Sequence, residues 1–255
     1  MYKRQDIDRL KQQRDGRYKR DVLELEQYER FWKYLEYRYT REKDIPPFER
    51  RTRILFTKVI GIFANTGLRP RELLTLRWCD ISNYKSGDPK VDGKIVVLHI
   101  RAEVAKTGVA RNVVAPVKKR LDIIKRSLKE LGYEINPDDF VLINPTKKDK
   151  SAYTRMMFHE RLKKTLELAG LADEIKHSKS KVSLYSFRHQ YICWRLRYGG
   201  VPIHLIAKNC GTSIQKIEQT YGHIETERQV DVITKNQGIS RNADVDLTTV
   251  ISEED

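Results

Sequence analysis

With 255 residues, a 39% hydrophobic fraction and a 33% charged fraction, the chain fits a core-forming protein of one large or two small domains with a highly charged surface. A formal net charge of +15 favours a polyanionic partner, and the scattered Cys79, Cys193 and Cys210 have neither the even number nor the CxxC spacing of a disulfide framework or zinc site. No apolar run approaches the ~20 residues that span a bilayer, and the charged start has no signal-peptide core, so the expectation is a reduced, cytoplasmic protein with no membrane partner.

Residues 1–21 are almost all polar, with basic residues throughout (MYKRQDIDRLKQQRDGRYKRD). A solvated tail, a frayed helix and a linker that tracks DNA all fit this composition. From Val22 apolar residues recur at helical spacing: Val22, Leu23, Leu25, Tyr28, Phe31, Trp32, Leu35 and Tyr39 predict an amphipathic helix, broken by Pro46–Pro47. A second helix is carried by Ile54, Leu55, Val59, Ile60 and Phe63 and stops near Asn65-Thr66-Gly67. Pro70 suits the first turn of a third, PRELLTLRW, with Leu73, Leu74 and Leu76 on its buried side.

After Asp80 the pattern changes. KIVVLHI (Lys94 to Ile100) and Asn112 to Ala115 read as strands, joined by RAEVAKTGVAR with its Thr107-Gly108 turn signal, so a small antiparallel sheet with a basic loop is expected. Helices are predicted over Val117–Leu131 and Tyr153–Ala169, with a β-like FVLIN at Phe140–Asn144 between them. Lys147, Lys148 and Lys150 form a basic loop, ordinarily a solvated surface. A helix bearing Arg188 and His189 ends at Gly199-Gly200, and two short helical runs lead on to Tyr221. Beyond lie a helix through Val230–Thr234 and a tail in which Val245, Leu247 and Val250 alternate like an edge strand before the acidic Glu253, Glu254 and Asp255. The fold class is α+β, mostly helical: one domain over 22–235, followed by a tail at 236–255.

Several residues have a plain reading when taken alone. Arg69 and Glu72 at a helix start are ordinarily a surface ion pair. Adjacent helical residues point apart, so His189 is expected on the core side of its helix, away from Arg188. Ile192, Trp194 and Leu196 read as packing residues, His99 and His204 as structural, and His223 as a local hydrogen-bond partner. Tyr221 is one of 13 tyrosines and stands out only by its placement after Arg188 and Gly211. A cation that holds phosphate beside a phenol that attacks it is the minimum for covalent chemistry on a DNA backbone.

Together, these stretches resemble a known family. TGLRPRELLTLRWCDI is similar to the first signature of the tyrosine recombinases, the lambda-type phage integrase family. AEVAKTGVAR, YSFRH and CGTSIQKIEQTYGH match its remaining signatures in order and spacing, from roughly Val22 to Thr234. The resemblance implies a tyrosine recombinase catalytic domain that cleaves and rejoins double-stranded DNA at specific sites. The intermediate would be a 3′-phosphotyrosyl link, with no metal, ATP or other cofactor. It assigns Arg69 and Arg188 to the non-bridging oxygens of the scissile phosphate, Lys106 to protonation of the leaving 5′ oxygen, and Tyr221 to nucleophilic attack. Glu72 would hold the surroundings of Arg69 in shape, and His189 is grouped with it as a supporting residue.

Two positions depart from the family pattern. Tyr185 stands where a His or Lys usually precedes the second arginine by three, and Thr212 where a His or Trp usually precedes the nucleophile by nine. Tyr185 is a poor base at neutral pH, and Thr212 keeps a hydroxyl donor on a shorter arm, so an active but slower enzyme is expected. The resemblance also implies a homo-tetramer on DNA, a monomer or weak oligomer without it, and VDLTTVI either exchanged between subunits or folded back. Family members usually carry a helical core-binding domain ahead of this one; none fits before Val22, which leaves a fragment or a minimal single-domain variant. Two other functions stay open: a non-catalytic DNA-binding protein on the same fold, and a type IB topoisomerase-like enzyme.

Overall fold

The computed structural model describes residues 23–144, 151–176 and 182–221. The basic start, the loop of Lys147, Lys148 and Lys150, His223, the helix expected through Val230–Thr234 and the C-terminal tail lie outside them. The first helix, α1 (Leu25–Lys33), continues into a π-helical segment at Tyr34–Tyr39. It packs beside α2 (Pro47–Thr66), which the Pro46–Pro47 pair starts by presetting the backbone of its first turn. Leu55, Phe56, Val59, Ile60, Ile62 and Phe63 are all buried, so the middle of α2 is apolar around its circumference and lies inside the domain. Each such side chain contributes roughly 1.5–3 kcal/mol over leaving it in water, which makes α2 the element the rest packs on. It ends at Gly67, whose φ of +64° is the left-handed cap that glycine adopts without penalty.

The third helix is shorter than its pattern predicts: α3 spans only Pro70–Leu74, followed by a 3-10 turn at Trp78–Asp80. Segment pairing cuts it short. The Val141 amide donates to the Leu76 carbonyl at 2.8 Å and the Trp78 amide to that of Asp139 at 3.1 Å, drawing this backbone out of the helix. The same pairing corrects the reading of FVLIN, which makes isolated bridges Arg77↔Phe140 and Ile143↔Ala152 and is not a strand. The sheet is antiparallel with three strands in the order β1 (Ile81–Asn83), β2 (Val96–Ile100) and β3 (Arg111–Ala115). Sequence reading missed β1, a short polar edge strand. Leu98 pairs with Val113 and Val96 with Ala115, which puts alternate residues of both strands in the core while Val114 faces out.

Helix α4 (Lys118–Glu130) packs on α2, and α5 (Arg155–Leu168) starts where the Thr154 hydroxyl accepts from the Met157 amide. A short α6 (Ala172–Lys176) follows. Then come α7 (Leu184–Arg197), which also packs on α2, α8 (Ile203–Cys210), and a helix over residues 214–221 designated α9. The last three elements build a smaller apolar cluster of their own from Tyr191, Ile192, Leu196, Ile206, Ala207, Cys210, Ile217 and Tyr221. Trp194 sits edge-on against Tyr28 of α1, with ring centroids 4.6 Å apart. Among the described residues no helix is long and apolar enough to cross a membrane.

Candidate active site

The polar centre begins with Glu72, whose side chain is wholly buried. Its Oε2 accepts from the Arg69 amide at 2.9 Å, closing the first turn of α3, and its Oε1 accepts from Arg69 Nη1 at 2.8 Å. Arg111, at the start of β3, adds a forked pair: Nη1 to Oε1 at 3.0 Å and Nη2 to Oε2 at 2.8 Å. Burial alone pushes the Glu72 carboxyl up, but the hydrogen bonds from Arg111 and from the Arg69 backbone outweigh it and hold the group below its ordinary value. The Arg69–Glu72 pair is therefore internal, and the surface pair that the two residues suggest in isolation is not what forms.

Both signature arginines are tied to the backbone of a glycine that ends a helix. Arg69 Nη2 donates to the Gly211 carbonyl at 2.6 Å, and Arg188, 3% exposed on α7, donates to the Gly67 carbonyl. Gly67 and Gly211 are the left-handed caps of α2 and α8. Neither has room for a side chain: a Cβ on Gly67 would lie 2.5 Å from the Tyr191 ring, and one on Gly211 2.7 Å from the Arg111 guanidinium. Between them Cys210 is fully buried; burial raises its thiol, while Arg188, Arg111 and Arg69 pull in the opposite direction. Three guanidinium groups thus surround one point where α3, β3, α7 and α8 meet.

Tyr221, on α9, is 6% exposed and packs with Ile217 and Cys210 in the smaller cluster. Its hydroxyl is hydrogen-bonded to Nδ1 of His189. This corrects the expectation that His189 turns to the core away from the site. Arg188 and His189 do point apart, but α9 lies against the histidine's side of α7, so each reaches the site from its own direction. Tyr185, one turn before His189, sets its ring against the imidazole with centroids 5.1 Å apart. Burial pushes the Tyr221 phenol well above its ordinary value, Cys193 adds to the rise, and the Arg188 guanidinium opposes it.

Lys106 and Thr212 stand at the margin. Lys106 lies on the exposed part of the β2–β3 loop, one residue past the buried Ala105, and makes no hydrogen bond to Arg69, Arg188 or Tyr221. The root of that loop is fixed by Arg101, which donates to the Thr75 carbonyl at 3.0 Å and pairs with Asp80 at 3.3 Å. Thr212 directly follows Gly211, half-buried, and its amide donates to the Ala207 carbonyl at 3.0 Å. Sequence reading missed Arg111 and Asn209. Asn209 Oδ1 accepts from the Val114 amide at 3.1 Å, its Nδ2 donates to the Tyr191 hydroxyl at 3.0 Å, and its carbonyl takes Arg111 Nε at 3.2 Å, pinning α8 to the edge of β3. Nothing in RAEVAKTGVAR sets Arg111 apart from Arg101 or Lys106 as a basic loop residue.

A mostly helical domain with this three-stranded antiparallel sheet has the fold of the tyrosine recombinase catalytic domains. XerH site-specific recombinase, in a post-cleavage complex with a palindromic difH substrate, superposes with a TM-score of 0.60 at 18% identity, over 83% of this chain and 52% of that one. XerA recombinase gives 0.53 at 15% identity, over 83% and 65% of the two chains. The Tn1549 transposon integrase with transposon right end DNA gives 0.53 at 15%, over 86% and 66%. This chain thus spans about half the length of XerH and 65% of that of XerA. The phage integrase family profile matches residues 21–228, and the chain belongs to that family. No curated protein matches its sequence.

Proposed function

We propose that the chain is a site-specific DNA recombinase that breaks and rejoins strands through a 3′-phosphotyrosyl bond at Tyr221. The observation that carries this reading is the convergence, around buried Cys210, of Arg69, Arg188 and the helix bearing Tyr221, which are far apart in sequence. Attack by a tyrosine builds negative charge on the equatorial phosphate oxygens, and fixed guanidinium groups stabilise that charge without reorganising. Lys106 would come in from its loop to protonate the leaving 5′ oxygen, Tyr185 and Thr212 would add hydrogen bonds at the phosphate, and Glu72 would hold Arg69 in place. Double-stranded DNA as the partner accords with the DNA-bound XerH and Tn1549 integrase structures and with the net charge of +15. A homo-tetramer on two duplexes and a cytoplasmic location complete the proposal. With Arg188 and Tyr221 almost fully buried, α9 would have to shift for a phosphodiester to reach the phenol.

The departures at Tyr185 and Thr212 favour, as a second reading, a DNA-binding protein of the same fold with weakened chemistry. Incubation with nicked duplexes of randomised sequence separates the two. An SDS-resistant protein–DNA adduct that maps to Tyr221 and is missing from Tyr221→Phe supports the recombinase; retention of DNA with no adduct supports the binder. Relaxation of plasmids without any site requirement would point instead to a topoisomerase.

A further inference from the structure

We propose that His189 is the base that deprotonates Tyr221, a role that the resemblance gives to the position Tyr185 holds; the inference rests on Tyr221 being the nucleophile. His189 Nδ1 is on the Tyr221 hydroxyl, and among the described residues no other group hydrogen-bonds that oxygen. The base role requires the Nδ1 contact to persist as α9 shifts to admit the phosphodiester, and among the protein groups around the phenol the other candidate acceptors are few. Arginines stay protonated, so Arg188 stabilises the phenolate but takes nothing from it. The other titratable groups bearing on the phenol are Cys193 and Tyr185 on α7 and Cys210 on α8. Burial raises both thiols, Cys193 to about 11, which keeps them protonated. Tyr185 offers a hydroxyl, which makes hydrogen bonds but has no imidazole-like nitrogen to take the proton. It lies one turn from His189 with its ring tilted 54° against the imidazole, which fits a residue that fixes the ring rather than one that receives the proton.

The phenolic oxygen bonds to phosphorus, the P–O5′ bond breaks, the phenol's proton moves to His189 Nδ1, and the leaving 5′ oxygen takes a proton from Lys106. In rejoining, the imidazolium returns its proton to the departing phenolate while the attacking 5′ hydroxyl gives its own back to the lysine. His189 is therefore a catalytic residue by contact with a reacting atom, and it cycles between neutral and protonated forms once per strand.

Two measurements test this. Histidine ¹⁵N NMR of the DNA-free protein should show His189 with Nδ1 unprotonated and its shift altered in Tyr221→Phe; a proton on Nδ1 in the neutral ring overturns the assignment. On nicked duplexes that the wild-type protein captures, His189→Ala should slow adduct formation on the order of 10²-fold or more, in the range typical of lost general-base catalysis. His189→Gln, which keeps an acceptor without proton affinity, should be as slow and should lack the rise of rate with pH expected of the wild-type protein. A 5′-bridging phosphorothiolate, whose leaving group needs no proton, should rescue Lys106→Ala but neither histidine variant. Rescue of a histidine variant, or wild-type rates from folded His189→Gln, overturns the base role. Absence of any wild-type adduct overturns the nucleophile reading and this one with it, whereas a wild-type adduct with undiminished His189→Ala overturns this one alone. Thermal melts identify a variant that has not folded, in which case the glutamine variant decides.

Discussion

Arg188 donates to the carbonyl of Gly67 across 121 residues of sequence, and Arg69, two residues past that same glycine, donates to the carbonyl of Gly211 across 142. The two ties cross. The arginine of each region holds the end of a helix in the other, so the smaller apolar cluster with Tyr221 is fastened to the α2 core through the guanidinium groups themselves.

Tyr221→Phe separates fold from chemistry. It removes one buried hydrogen bond, so the stability loss should be about 0.5–1.5 kcal/mol, while covalent capture of DNA should vanish. Chemical denaturation gives the first quantity and an SDS gel of nicked-duplex reactions the second.

Glu72→Gln should destabilise far more than a surface charge change. The carboxylate is the shared partner of Arg69 and Arg111, both themselves largely buried, and removing one member of a buried ionic group typically costs about 3–5 kcal/mol. Urea unfolding at neutral pH measures it. A loss under about 1 kcal/mol would mean the cluster is solvated, as exposed pairs are.

The same residue sets an acid limit. The folded Glu72 carboxyl lies below its ordinary value of 4.5, so its stabilising contribution is fully present above that value and is lost as pH falls through the folded one. Unfolding free energy should therefore decline below pH 4.5, and part of that slope should be absent from Glu72→Gln. An identical slope in both proteins would assign the acid transition to other carboxylates.

Gly211→Ala and Gly132→Ala form a matched pair. Both positions have positive φ, +62° and +85°, so each alanine should cost about 1–2 kcal/mol in backbone strain. Only at Gly211 would the new Cβ meet the Arg111 guanidinium, at 2.7 Å; nothing lies within 4 Å of the other. The Gly211 variant should melt lower than its counterpart and take up DNA adducts more slowly, because Arg111 and then Glu72 must move. Equal melting points would show that the loop absorbs the methyl group.

Much of this was legible in the chain because period and punctuation agree. The apolar stripe from Leu55 to Phe63 and the glycine after Thr66 place α2 and its end, and alternating Val96, Leu98 and Ile100 give the core face of β2. What failed was non-local. The pattern of PRELLTLRW continues past Leu74, and only pairing with the segment around Phe140 and Val141 stops the helix. Arg111 looks like any basic loop residue until β3 carries it to Glu72. Within its own helix His189 shows only that its neighbour Arg188 points elsewhere; the residue that gives it meaning arrives on another helix 32 positions later.

The crossed ties also bear on how tightly a backbone phosphate can be held. An arginine free in solvent gives up about 2 kcal/mol of rotamer freedom when a ligand stills it. Here Arg69 is already fastened through two of its nitrogens and Arg188 through one, and each guanidinium carries five N–H donors, so donors remain after the carbonyls and Glu72 are served. That loss of freedom falls on the folding of the chain, so under the proposed function a DNA strand would meet arginines already held by hydrogen bonds.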